Sequence, residues 1–216
     1  AACDGMAYHE ACLRRALAAP RPQPGPRALQ PSLWVPAPCC STELVARLGE
    51  EMARFASHQC LTADDWIQRC AARGAVQDAL ASHAAMVEKF PSLGVSVIGT
   101  SASGLGRQAS DLDLLLDLDG CGNAALEGGR SGVPAHLELA RAALEAVGLV
   151  EATELVPAAR IPLLRGRLRH SGLRFDLSVG TRCGTWNTSL LRRFAARCPA
   201  EALPLSVIVV AWSKAQ

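Results

Sequence analysis

The sequence predicts an α+β fold, a small mixed sheet with flanking helices, preceded by two further helices and a proline-rich arm. Short apolar runs bounded by turn residues, at 95–98, 111–118, 161–164 and 173–179, read as strands. From Asp111 to Asp119 leucine alternates with aspartate, the period-two pattern of a half-buried strand. Helical spacing of apolar residues lies before, between and after these runs. Their order, βαβ-α-ββ, suits a mixed sheet covered by helices and shows no internal repeat.

The whole chain sets the frame. A length of 216 residues, half of them apolar, is enough for one good core. A net charge of +2 is too mild to specify a nucleic-acid partner, so any electrostatic footprint must be local. Lysine occurs only at Lys89 and Lys214, and Arg160, Arg165, Arg167, Arg169 and Arg174 crowd one segment. Either a solvated strand edge or a surface for RNA or phosphate accounts for that crowding. The nine cysteines are odd in number and show neither a repeated Cys-x-x-Cys nor zinc-finger spacing. They predict reduced thiols and an intracellular location, cytoplasmic first, with nuclear and organellar ones open. No apolar run approaches the ~20 residues that span a bilayer, which predicts no membrane partner. Residue 1 is alanine, so the true N-terminus and any targeting peptide are expected to lie outside this sequence.

Residues 1–40 form the arm. Alanine-rich at first, it carries prolines at 20, 22, 24, 26, 31, 36 and 38, which remove donors and enforce extension. The expectation is a disordered linker, with protein docking as its alternative. Order begins near Ser41, with Leu44, Leu48, Met52 and Phe55 on one helical face. Thr62 caps a second helix whose first turn carries Asp64 and Asp65. Its pattern runs through Trp66, Val76, Leu80 and Val87 to near Pro91, with Gly74 as the expected weak point. Both helices are expected to cover the sheet. A glycine-rich loop from Gly120 to Pro134 precedes a helix marked by Leu137, Ala140, Leu144 and Val147. The portion from Thr188 to Lys214 reads as helical, with Pro199 and Pro204 bracketing a break.

The chemistry concentrates at one point. The strand ending Val97-Ile98 runs into Gly99-Thr100-Ser101-Ala102-Ser103-Gly104, and Ser110-Asp111-Leu112-Asp113 follows. Residues two apart in a strand point the same way, so Asp111 and Asp113 project together beside a turn whose backbone can approach phosphates. Asp117 lies roughly 20 Å further along at ~3.3 Å per residue, too far to share a site. Two neighbouring carboxylates repel, and cations between them ease the ionisation of both. Asp176, in Phe175-Asp176-Leu177-Ser178-Val179, is the natural third carboxylate if its strand pairs beside that of Asp111. Small residues at 99–106, and a helix starting there, suit a phosphate. Divalent metal held against a nucleoside triphosphate is the use such a set fits, and it predicts nucleotidyl transfer.

These residues resemble a known family. Gly99-Thr100-Ser101, Gly104 and Ser110-Asp111-Leu112-Asp113-Leu114 look like the signature of the DNA polymerase beta-type nucleotidyltransferases. Ala159-Arg160-Ile161-Pro162-Leu163-Leu164-Arg165, the Asp176 strand, Trp186-Asn187-Thr188-Ser189-Leu190-Leu191-Arg192 and Trp212-Ser213-Lys214 follow in the order of its noncanonical poly(A) polymerase and terminal uridylyltransferase branch. The resemblance covers about residues 41 to 216. It implies a palm over 41–198 and, over 199–216, the start of a truncated helical central domain, so that the chain reads as a fragment.

The resemblance further implies two magnesium ions, with manganese as a substitute, on Asp111, Asp113 and Asp176. Asp176 would bind the first ion and assist deprotonation of the RNA 3′-hydroxyl. ATP or UTP would be held by Gly99 and Thr100, by Ser101 at the terminal phosphates, by Asn187 at the ribose and by Lys214 at the triphosphate. Arg160 and Arg165 are candidates for RNA contact. Asn187 has a second reading as a helix cap. Val210 stands where many relatives carry a second basic residue, which implies weaker triphosphate affinity. Template-independent addition of A or U to an RNA 3′ end is the leading expectation. A noncatalytic RNA-binding or scaffold module, and nucleotidyl transfer to a non-RNA acceptor, are the alternatives.

Overall fold

The computed structural model describes residues 41–118, 132–180, 183–197 and 199–215. The proline-rich arm, Asp119 and most of the glycine-rich loop lie outside them. The chain divides into two compact units, Ala1–Gly49 and Glu50–Gln216. Of the first unit only the opening of helix α1 (Thr42–Gln59) is described, where the Ser41 side chain accepts from the Leu44 N–H at 3.1 Å.

Among the described residues the second unit has five strands, β1 (Gly94–Val97), β2 (Leu112–Asp117), β3 (Val150–Val156), β4 (Leu163–Leu168) and β5 (Arg174–Val179). Their order across the sheet is β1-β2-β5-β4-β3. Only β2 and β5 run parallel; the other neighbours are antiparallel. The sheet is mixed, as expected, but has one strand more than the sequence suggested. The segment 150–156 carries two glutamates and alternates weakly, because it is an edge strand whose residues are mostly outside the core. The fourth run is also displaced: β4 is 163–168, where Leu164, Gly166 and Leu168 face inward and Arg165 and Arg167 outward.

One face of the sheet is dry. Leu112, Leu114, Leu116, Leu164, Phe175 and Leu177 are fully buried, and replacing one such leucine by alanine costs about 2–5 kcal/mol. Against them pack α2 (Ala63–Ser82), through Ala72, Val76, Ala79 and Leu80, and α5 (Val133–Ala146), through Leu137, Ala140, Ala143 and Leu144. Thr62 caps α2 in a full capping box with Asp65. The helix passes unbroken through Gly74 and ends at His83, before the short α3 (Ala84–Lys89), so the break falls nine residues beyond the expected weak point. Within the second unit α1 buries only Ala56 and leaves Phe55 exposed, so this part of the helix does not cover the sheet.

Helix α4 (Gly99–Ser103) is a single turn between β1 and β2. Helix α6 spans Cys183–Arg197 and α7 Pro199–Ala215. Pro204 sits inside α7 rather than closing a break. Among the described residues no helix is long and apolar enough to cross a membrane.

Candidate active site

Asp113 and Asp176 are direct partners across the parallel β2–β5 pair. They therefore project from one face at adjacent strands, ~4.8 Å apart along the hydrogen-bonding direction. Asp111 precedes β2 by one residue and shares the face of Asp113. This face is the polar one, opposite the leucines under α2 and α5. Asp117 lies at the far end of β2, opposite Gly94.

Two arginines cover the carboxylates. Arg165 of β4, the partner of Asp176 across the antiparallel pair, donates Nε and Nη2 to its two oxygens at 3.0 and 3.3 Å. Those hydrogen bonds, and the Asp176 charge, raise the guanidinium's pKa above its ordinary value. Arg174, at the start of β5, places Nε 2.7 Å from Asp111 Oδ1. That approach lacks hydrogen-bond alignment, so Oδ1 remains a buried oxygen without a hydrogen-bond partner. These four side chains line a cleft of about 280 Å³.

The turn after β1 meets this site directly. Gly99 has φ +71°, and any Cβ there would overlap Asp113 Oδ2. Only glycine lets the backbone lie against that carboxylate. Its N–H is already engaged, donating to Thr188 Oγ1 of α6 at 2.8 Å, while the same hydroxyl donates to Gly184 O at 2.7 Å. The expected open phosphate cradle thus has one of its amide donors committed to α6.

The helix pair on the dry side reaches the site through Arg69, which sequence reasoning missed. This guanidinium is only 2% exposed. It donates to Ser101 Oγ at 3.1 Å and to the carbonyls of Asp111, Arg107, Gln108 and Ser110 at 3.3, 3.4, 3.2 and 2.7 Å. Burial pushes its pKa down, opposed by the charges of Asp65, Asp113 and Asp111. One donor group thereby fixes the loop before β2 and the turn after β1 together. Ser101, the residue expected at the terminal phosphates, is correspondingly buried, with its oxygen accepting from Arg69. Thr100 is the partly exposed hydroxyl of that turn.

The remaining expected residues are spread wider. Asn187 is exposed on the first turns of α6, inside the helix, which removes the cap reading. Lys214 lies on α7 with its side chain outside the described residues. Arg160 stands in the turn between β3 and β4, off the strand register that carries Arg165.

Among the described residues no three His, Cys, Asp or Glu side chains are gathered closely enough to hold a metal as they stand. The expected convergence is met in register but not in side-chain placement, because Asp111 and Asp176 are drawn onto guanidinium groups. The donor set nevertheless fits a hard divalent cation, which takes carboxylate oxygens: Asp111, Asp113 and Asp176 project from one face of adjacent strands.

A family model described as "Poly(A) RNA polymerase, mitochondrial-like, central palm domain" matches residues 48–196, more than half of the chain. The chain belongs to this family. It is 32% identical over 127 residues to a poly(A) RNA polymerase GLD2 of Danio rerio, covering 57% of this chain and 24% of that protein. It therefore spans about a quarter of that relative's length. In structure it is similar to the GLD-2/RNP-8 complex, at 23% identity and TM-score 0.61, over 70% of this chain and 44% of the other. It is also similar to mtPAP in apo form, at 20% identity and TM-score 0.59, over 69% and 34%. The Cid1 poly(U) polymerase matches at 17% identity and TM-score 0.59, over 78% and 47%. At such identities these structures establish the fold, a polymerase beta-type palm.

Proposed function

We propose that this chain is the catalytic palm of a template-independent RNA 3′-terminal nucleotidyltransferase that extends RNA with A or U. The observation that carries the reading is the pairing of Asp113 with Asp176 on neighbouring parallel strands, with Asp111 two residues before and Gly99 packed against the Asp113 carboxylate. Relatives named poly(A) RNA polymerase and poly(U) polymerase support it. Structures of mtPAP with CTP, UTP and ATPγS support a nucleoside triphosphate as substrate, here ATP or UTP. The GLD-2/RNP-8 complex supports a protein partner. The free thiols of Cys60 and Cys70 suit an intracellular location.

In this reading Asp111, Asp113 and Asp176 would hold two magnesium ions, or manganese in their place, which would supply activation of the attacking hydroxyl and charge stabilisation at the pyrophosphate. Thr100 and the Gly99 turn hold the phosphates, Asn187 the ribose and Lys214 the triphosphate. Thr188 keeps α6, and with it Asn187, at a fixed distance from the Gly99 turn. Asp176 exchanges its Arg165 partner for a role beside the 3′-hydroxyl.

A magnesium-dependent tailing assay on the full chain with labelled single-stranded RNA tests this. Asp113→Ala and Asp176→Ala are expected to lose activity by at least about a hundredfold, on the scale of removing one essential group. Full activity in either variant overturns the reading. The scaffold alternative draws on the arginines seated on the carboxylates. It predicts no heat when ATP or UTP is titrated in with magnesium.

A further inference from the structure

The arginine-rich segment that sequence alone left ambiguous is sorted by the sheet. Arg169 turns to the edge, where Nε and Nη2 donate to the carbonyls of Gly148 and Val150 at 3.0 and 3.2 Å, a structural use. Arg165, Arg167 and Arg174 instead stand on the polar face beside the carboxylates. Register places Arg167 directly opposite Arg174 and Arg165 directly opposite Asp176. Arg165 and Arg167 lie two apart on β4, one row spacing of ~7 Å.

Like charges directly opposite on an antiparallel pair are destabilising. Arg167 and Arg174 keep such a pairing, each with one carboxylate as its ion-pair partner. Arg174 is held by Asp111 at 2.7 Å and Arg167 by Glu151 at 3.4 Å, with both guanidiniums about half exposed. Exposed pairs of this kind contribute only about 0–1 kcal/mol each. Arg165 is accounted for by Asp176 beneath it, but fold stability gives little reason to set Arg167 directly opposite Arg174. An external polyanion does.

The position of the row identifies which polyanion. Gly99 packs against Asp113 from the β1 flank of β2, the side on which the reading proposed above puts the triphosphate. Arg174 and Arg167 leave the carboxylates on the other flank, over β5 and β4. A chain whose 3′-hydroxyl reaches Asp111 and Asp176 from that flank carries its next phosphodiesters over these two side chains. We infer that Arg174 and Arg167 form a phosphate rail for the single-stranded acceptor, with the guanidiniums exchanging the Asp111 and Glu151 carboxylates for backbone phosphates when RNA enters. This rests on the acceptor being RNA, as proposed above.

Fluorescence anisotropy of a single-stranded oligonucleotide with a blocked 3′ end, in EDTA and over a range of salt, tests it on the full chain. Neutralising one phosphate contact on a single strand changes the slope of log K against log salt by ~0.7. Arg167→Gln/Arg174→Gln is expected to flatten the slope by ~1.4 and to weaken binding at low salt. Arg141→Gln, on α5 and paired with Glu138 at 2.6 Å, is expected to match wild type. A melting temperature equal to wild type shows that the double variant is folded, and single replacements with a ~0.7 change serve if it is not. Unchanged slope and affinity in the folded double variant overturn the rail while leaving the acceptor reading intact. Absence of RNA binding in the wild type overturns both.

Discussion

Replacing Arg69 by methionine keeps the stem volume inside α2 and removes every donor of the buried guanidinium. Four main-chain carbonyls, of Arg107, Gln108, Ser110 and Asp111, lose a partner, together with Ser101 Oγ. A buried polar group left unpaired costs about 1–3 kcal/mol, but carbonyls at a loop recover part of this from water. Five acceptors lose a bond to a charged donor, and after partial recovery from water the summed cost expected is about 3–5 kcal/mol. For a domain of this size each kcal/mol lowers Tm by about 2–4 °C, so the variant should melt about 6–20 °C below wild type. Thermal unfolding followed by circular dichroism measures it. Arg69→Lys, a point charge with three donors in place of five, should fall between the two. Because the same contacts place Asp111, manganese affinity measured by electron paramagnetic resonance should weaken in the order wild type, lysine, methionine. A methionine variant that melts within about 2 °C of wild type refutes the account of Arg69 as the tie between turn and loop.

Gly99→Ala forces a side chain onto Asp113 Oδ2 in a left-handed backbone, and should lose tailing activity with at least about 1–3 kcal/mol of stability, read by denaturant titration. Thr188→Val leaves the Gly99 N–H without its acceptor and should cost about 1–3 kcal/mol, with faster amide exchange at Gly99 as the local readout. Thr62 donors hold the Asp65 carboxyl below its ordinary 3.8, so its contribution is present above that value and is lost as pH falls through the lower folded one. The Tm gap between wild type and Asp65→Ala should therefore be constant from about pH 5 to 7 and close below 3.8. Burial raises the Cys60 thiol, whose Sγ donates to Ala56 O, so peptide mapping after brief alkylation should show exposed Cys70 modified well before it.

Where local pattern and tertiary need coincide, the sequence was readable. The Leu112–Leu118 alternation, the Thr62 cap and the face shared by Asp111 and Asp113 are all set by neighbours within a few residues. The placement of Asp176 was inferred from its strand pattern, and the parallel pairing bears out its side of the sheet. What local pattern leaves out needed the coordinates. Strand β3 is an edge whose glutamates face water, so its alternation is faint. Arg69 sits on a helix face otherwise occupied by Ala72 and Val76, and nothing in spacing says that a loop of carbonyls lies opposite. An arginine within an apolar helical stripe, upstream of a small-residue turn, was the available signal. Residue type alone proposes Ser101, and the rotation of about 100° between it and Thr100 decides which hydroxyl is buried. The contacts of Arg165 and Arg174 with the acidic residues depend on the order in which strands lie side by side.

That order has a bearing on biogenesis. Among the described strands the latest in sequence lies between the second and the fourth, so the middle of this sheet closes after its edges have been made. Until ribosomal synthesis passes Val179, the leucine-rich second strand has an unzipped backbone edge on that side and its acidic rim lacks a member. A product ending upstream of Arg174 would leave that edge of the second strand unpaired, an exposed apolar strand edge of the kind that associates with other chains.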